Sequence, residues 1–431
     1  MRILHIGAFY YPDVEGGAES HLQQISERLV QRGHDVTVFT TSSFIASTLP
    51  STAQLTRKTS EVLNLVKVRR FRPQGPFLKC VNGFLRLRGS YRFLRSFMSP
   101  EHIGVLQGGP LNLAAILAAV RLRPDIVAVH NWCHPTLGYY GSLVKVLTRA
   151  PLVGIPLLHT EEPWSHSEFL HTMLARCDAL VTNTEHEKRF IEARLPGHQR
   201  VHVIGVGIDP ESFSEPAGAR IRARYGIGDA PVVGYVGRMQ PTKGVIKLLE
   251  AMKTVWQSES RAYLLLAGRR FPASTYNDRE FQNALANLSA RERSRLIHID
   301  GFDEKEKSSI FDAIDVFTMP STAESFGIAY LEAWMCEKPV IGSRIGSTRC
   351  VVEDGVDGLL IDPHNPEEIA SAVLRLIANP ELRRRMGRAG YEKTRSKFTW
   401  NAVTDRLERT YLNVIAGSPG QYYPSCTDLR L

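Results

Sequence analysis

The strongest constraint on the fold is an alternation that runs twice along the chain. Short apolar runs that read as buried strands are separated by stretches with helical spacing. The series opens with a strand over residues 3–6, a loop over 7–17, and a helix over 18–30 that carries Leu22, Ile25 and Leu29 on one face. Arg32-Gly33-His34-Asp35 ends that helix, and residues 36–40 form the next strand. Strands over 66–70, 125–130, 152–159, 178–183 and 201–204 follow, with helices between. Pro210, Pro216 and Gly218 then mark a break. Beyond it the pattern restarts with strands over 232–236, 263–267, 296–299, 313–319, 340–341 and 359–361, and with helices over 245–255 and 366–378. Strands alternating with helices build parallel sheets, and 431 residues exceed one ordinary core. Two doubly wound α/β domains are the expectation.

The glycine-rich first turn, ending at Gly16-Gly17, is that of a nucleotide-binding β-α-β unit. The fingerprint G-x-G-x-x-G is absent, so a nicotinamide cofactor is not indicated. The opening residues read as a strand rather than a signal peptide, and the longest uncharged apolar helix candidate, residues 111–120, is too short to span a bilayer. Six scattered cysteines, at 80, 133, 177, 336, 350 and 426, form no Cys-x-x-Cys pair and read as thiols of a reducing cytoplasm.

Net charge is +9, and it is localised. Lys67, Arg69, Arg70, Arg72, Lys79, Arg86, Arg88, Arg92 and Arg95 fall in a stretch without Asp or Glu, so the remainder of the chain is balanced. Plotted as a helix from Phe84, the residues Phe84, Leu87, Tyr91, Leu94 and Met98 share one side, with Arg88, Arg92 and Arg95 adjacent. A basic amphipathic helix is a pattern of interfacial binding. Residues 65–98 are therefore expected to hold the protein, cytoplasmic and peripheral, against an anionic membrane face. The competing reading is a solvated basic face.

The densest chemistry lies in residues 319–334. An apolar strand is followed by a Gly-containing turn and a helix start with Ile328, Leu331 and Trp334 at helical spacing. Ser325 is the expected N-cap, and the free amides of residues 326–328 would form an anion site. Glu324 and Glu332 frame the turn. Eight helical steps would separate their backbones by about 12 Å and rotate the side chains apart by about 80°. Paired glycosidase carboxyls lie at about 5–9.5 Å, so two separate points on one ligand fit better than a shared acid–base task. Upstream, the strand ending at Val236 delivers Arg238 and then Lys243, a planar fork and a compact charge suited to a diphosphate.

Glu324-Ser-Phe-Gly-Ile-Ala-Tyr-Leu-Glu332, with Arg238 and Lys243 ahead of it in order, resembles the E-x7-E site of retaining glycosyltransferases of family 4, which have the GT-B fold. The resemblance implies two Rossmann-like domains facing across a cleft: residues 1–207 on the acceptor side, 208–397 for the nucleotide sugar, a helix over 398–415 returning to the first domain, and a loose tail over 416–431. It implies a UDP- or GDP-sugar as donor substrate, a hydroxyl acceptor that is lipid-linked or part of a growing glycan, and no other cofactor. Carried over, Arg238 and Lys243 neutralise the leaving diphosphate. The amides of Phe326 and Gly327 beside Ser325 assist, Glu332 holds the ribose, and Glu324 orients the sugar. Gly301 and Phe302 join the donor site, and Gly16, Gly17 and His130 cover it from the first domain.

His134, His159, His166 and His171 lie near His130 in sequence, but their spacing matches no zinc pattern. No Asp-x-Asp motif is present, so metal-independent chemistry is expected. The sequence departs from the family at Gly346-Ser-Thr-Arg349 and at Arg269-Arg270. Two rivals remain: a hydrolase or phosphorylase of the same fold, and a basic membrane- or nucleic-acid-binding protein. The second lacks the aromatic motif of an RNA-recognition sheet, and no nucleic-acid partner is expected.

Overall fold

The computed structural model describes residues 1–12, 16–42, 59–71, 113–133, 135–198, 200–268 and 278–417. The chain divides into two compact units, Met1–Gly205 with the segment from Trp400 onward, and Val206–Thr399.

Unit 1 is built on strands β1 (Arg2–Ile6), β2 (Asp35–Thr41), β3 (Ser60–Leu63), β4 (Val66–Phe71), β5 (Ile126–His130), β6 (Leu152–Ile155), β7 (Ala179–Thr182) and β8 (Val201–Val203). Their order is β3-β4-β2-β1-β5-β6-β7-β8. Every pairing is parallel except β3 with β4, a hairpin closed by Asn64 and Leu65, both at positive φ, as a primed two-residue turn requires. Helices α1 (Gly17–Gln31), α2 (Leu113–Leu122), α3 (Pro135–Thr148), α4 (Glu168–Leu174) and α5 (Glu185–Glu192) connect these strands. Leu22, Ile25 and Leu29 of α1 are buried, as their spacing predicts. The strand expected over 152–159 stops at Ile155. Pro156 follows and has no N–H to extend the ladder.

Unit 2 contains β9 (Val232–Val236), β10 (Tyr263–Ala267), β11 (Leu296–Ile299), β12 (Val316–Met319), β13 (Val340–Ser343) and β14 (Gly358–Ile361), parallel throughout in the order β11-β10-β9-β12-β13-β14. Its helices are α6 (Gly218–Arg224), α7 (Val245–Ser258), α8 (Asp278–Ala286), α9 (Ala290–Arg293), α10 (Lys307–Asp312), α11 (Ile328–Met335), α12 (Thr348–Val351), α13 (Pro366–Ile377) and α14 (Pro380–Lys397). Strand β12 starts later than expected because Ala313 and Ile314 still donate to Ser309 and Phe311 and close α10.

Helix α15 (Trp400–Ile415) belongs to unit 1 and packs on α1. Arg32 meets Asp405 and Glu408 at 2.6 and 2.7 Å, and His34 meets Glu408 at 2.6 Å. The parallel strand order reverses between β1 and β5 in unit 1 and between β9 and β12 in unit 2. Ligands of open α/β sheets bind outside the strand ends at such points. No helix among the described residues is long and apolar enough to cross a membrane. Most of the basic segment, residues 72–98, and the end of the chain after residue 417 lie outside the described residues.

Candidate active site

The reversal in unit 2 gathers the charged motif residues. After β9 the chain passes Gly237 to Arg238, whose carbonyl accepts the Tyr235 hydroxyl at 2.6 Å and whose side chain is exposed. A single 3-10 turn, Pro241–Lys243, then leads into α7. Gly244 caps that helix at φ 72°, and a Cβ there would lie 2.0 Å from the Pro320 carbonyl oxygen. Only glycine fits such a left-handed close approach. The loop after β12 is stitched to this turn, since the Thr322 amide donates to the Thr242 carbonyl at 2.8 Å.

This stitching brings Lys243 to Glu324. Lys243 Nζ donates to Glu324 Oε2 at 2.6 Å, and the two side chains are only 12 % and 9 % exposed. The pair sits between two adjacent strand ends, 81 residues apart in sequence.

The helix carrying Glu332 begins later than the sequence reading holds. Its N-cap is Gly327 at φ 91°, not Ser325, and Ser325 lies half-buried in the bend ahead of it. A Cβ at Gly327 would strike the Tyr330 ring at 2.4 Å, which explains why the left-handed residue is the glycine. The N–H groups of Ile328 and Ala329 therefore form the open first turn. Phe326 is buried edge-on against Phe398, ring centroids 5.5 Å apart, and anchors the bend. Because the helix starts at Ile328, the helical separation of Glu324 and Glu332 does not apply. The carboxylates are nonetheless held separately, since Glu332 Oε1 accepts from Lys307 Nζ at 3.0 Å. Gly301, at φ 79°, and the half-buried Phe302 follow β11 at the same end of the sheet.

Lys307 was not singled out by sequence. It stands 25 residues from Glu332, within Asp303-Glu-Lys-Glu-Lys307, which reads as solvated surface. In the fold it opens α10 beside α11 and meets both Glu332 and Glu304. Burial acts to lower its pKa, but the two carboxylates outweigh that and raise it, so Lys307 is a fixed cation.

In unit 1 the reversal between β1 and β5 carries histidines. His130 ends β5 and is 1 % exposed, with His5 at 4.7 Å and His21 of α1 at 6.1 Å between ring centroids. Ser26 Oγ donates to the Leu22 carbonyl, so it accepts from His5 Nδ1–H, and His5 Nε2 bonds the Tyr411 hydroxyl of α15 at 3.1 Å. Burial pushes His5 down to about 3 and His21 to about 4. Burial, with His5 and His21 adding to it, also holds His130 well below the usual imidazole range. All three are neutral rings at physiological pH. The ring nitrogens of His130 and His21 find no hydrogen-bond partner among the described residues.

Gly16, extended at φ −169°, caps α1, and Gly17 is its first residue, so the open first turn of α1 lies one helical turn from His21. His159 is half-buried four residues beyond β6 rather than at a strand end. His166 and His171 are taken up by the carbonyls of Thr160 and Ser165, both at 2.9 Å. Among the described residues no group of three or more His, Cys, Asp or Glu could hold a metal ion. His134, Arg269 and Arg270 lie outside the described residues.

A second residue missed by sequence is the carboxylate Glu187, fully buried in the first turn of α5. It accepts the Leu158 and Asn183 amides at 2.8 Å each and so clamps the chain leaving β6 and β7. Burial pushes it up to about 7 against those two hydrogen bonds.

Comparison with known proteins places both units. Residues 219–393 match the family model described as Glycosyl transferases group 1, and residues 16–207 match that described as Glycosyl transferase 4-like domain. The chain is similar to the D-inositol 3-phosphate glycosyltransferases of Saccharomonospora viridis, at 27 % identity over 94 % of this chain and 91 % of that one, and of Corynebacterium glutamicum, at 26 % over 96 % of each. Among solved structures it is similar to HepE of Anabaena in complex with UDP and glucose, at TM-score 0.73 and 19 % identity over 96 % of this chain and all of that one. It is also similar to sucrose-phosphate synthase of Thermosynechococcus elongatus, at TM-score 0.73 and 18 % identity over 97 % of this chain and all of that one.

Proposed function

Given that the chain belongs to the glycosyl transferases group 1 family and has the GT-B fold, we propose that it moves a sugar from a uridine diphosphate donor to a hydroxyl of a phosphorylated polyol, with retention at the anomeric carbon. The observation that carries this reading is the paired Lys243–Glu324 and Lys307–Glu332 arrangement beside the strand reversal of unit 2. The donor base is supported by the UDP held in the HepE structure, and the acceptor class by the name shared by the two relatives.

In this mechanism the bond from the anomeric carbon to the diphosphate breaks first, and charge grows on the leaving phosphate. Arg238 and Lys243 stabilise that charge, aided by the open first turn of α11. Glu324 orients the sugar hydroxyls and favours the oxocarbenium-like state, while Glu332 holds the ribose. The acceptor oxygen attacks the face that the diphosphate leaves, which preserves configuration, and the departing phosphate accepts its proton.

The test is a matrix of UDP-glucose, UDP-N-acetylglucosamine, GDP-mannose and ADP-glucose against inositol 3-phosphate and a polyprenyl-phosphate sugar, with proton NMR of the anomeric product. Acceptor-dependent release of UDP and a product of unchanged configuration is the expected result. Donor consumption without acceptor would favour the hydrolase, and an inverted product would overturn retention.

A further inference from the structure

Beside Arg238 and Lys243, the proposed donor site has a third cation, Lys307, paired with Glu332. Lys307 Nζ lies 3.0 Å from Glu332 Oε1, with 20 % and 14 % of the two side chains exposed. Its other partner, Glu304, is 78 % exposed and therefore well solvated. The contact crosses from the first residue of α10 to the second turn of α11, so it joins two elements rather than neighbours on one helix.

We propose that Lys307 is a positioning residue for donor recognition, holding Glu332 so that its second carboxylate oxygen meets the vicinal hydroxyls of the donor ribose. This rests on the reading of Glu332 as the ribose ligand.

A glutamate has several rotamers, and fixing them on binding weakens affinity, whereas a lysine that already fixes them moves that loss into folding. A carboxylate has about four lone-pair sites, so Lys307 on Oε1 still leaves Oε2 for a diol. The diol also lies on the same nucleotide as the diphosphate, and an uncompensated carboxylate there would repel the donor. Lys307 removes that repulsion for Glu332, as Lys243 does for Glu324.

Calorimetry with UDP and 2′-deoxy-UDP, alongside donor kinetics, tests this. Lys307→Met should weaken UDP binding and raise donor KM about tenfold or more, with kcat within about threefold. Its preference for UDP over 2′-deoxy-UDP should largely vanish. Lys307→Arg, which keeps the charge and should fold if Lys307→Met does not, should bind UDP within about threefold of the wild type and keep the preference. Glu304→Gln should change neither quantity. An unaltered preference in Lys307→Met, loss of kcat at constant KM, or loss of the preference in Lys307→Arg would overturn the proposal. Glu332→Gln separates the two levels. If that variant keeps the ribose preference, the reading of Glu332 fails, whereas if it loses the preference and Lys307→Met does not, only the role of Lys307 fails.

Discussion

Truncating Lys243 to methionine isolates the electrostatics of the proposed centre. At 2.6 Å and an effective dielectric of about 20, the gross attraction between Lys243 and Glu324 is about 6 kcal/mol. Desolvation of two nearly buried ions offsets most of that, so the pair itself contributes little net stability. Removing one partner is different, because it leaves a carboxylate that is 9 % exposed without its cation. Such breaks cost about 3–5 kcal/mol in buried pairs, and the residual exposure places this one near the lower end, about 3 kcal/mol.

For a unit of about 200 residues, 3 kcal/mol lowers Tm by roughly 6–12 °C. Calorimetry of Lys243→Met, Glu324→Gln and the double variant forms the cycle. The double variant should melt well above the sum of the two single losses, with a coupling of about 2–3 kcal/mol. Turnover should fall in both single variants, because each removes an interaction with developing charge. Additive shifts of under 2 °C would refute this account, since the pair would then behave as a solvated surface bridge.

Glu187 carries a pH signature. Its pKa is raised from 4.5 to about 7 in the fold, so its contribution to stability is full below about 4.5 and is lost as pH rises through about 7. The stability of the wild type relative to Glu187→Gln should therefore fall by about 3 kcal/mol between pH 4.5 and 8, and a flat difference in denaturant titrations would contradict that. Glu324→Gln should lose turnover more than donor affinity and Glu332→Ala the reverse, so steady-state kinetics showing only KM changes in both would reassign their roles. Because Arg238 and Lys243 supply the cations, activity should survive EDTA, and a complete loss restored by a divalent ion would reverse that expectation.

The sheets were legible in the sequence because most of their strands are buried on both faces and read as continuous apolar runs. β9, β10 and β11 begin and end where the apolar runs do. What escaped was set by contacts distant in sequence. β3, Ser-Glu-Val-Leu, has no strand signature of its own and exists because β4 pairs with it through an Asn64-Leu65 turn lacking the usual glycine. The N-cap of α11 moved from Ser325 to Gly327 because Tyr330 packs where a side chain at position 327 would lie, a contact invisible to capping rules. Lys307 and Glu187 escaped for the same reason. Each is a charged residue in a charged run, and only the packing of another element turns it inward. Lys243 and Glu324 were nameable from their motif spacing, but their direct contact was not.

The return of α15 to unit 1 makes unit 2 an insertion within it. Where the chain enters and leaves unit 2, the Ile208 amide donates to the Phe398 carbonyl at 2.7 Å, so the inserted module has its two ends tied side by side. On a ribosome, unit 2 can therefore close as soon as residue 399 emerges. Unit 1, although begun first, must wait for Trp400 and Tyr411 to cover His21 and His5. The order of synthesis is thus inverted in the order of completion.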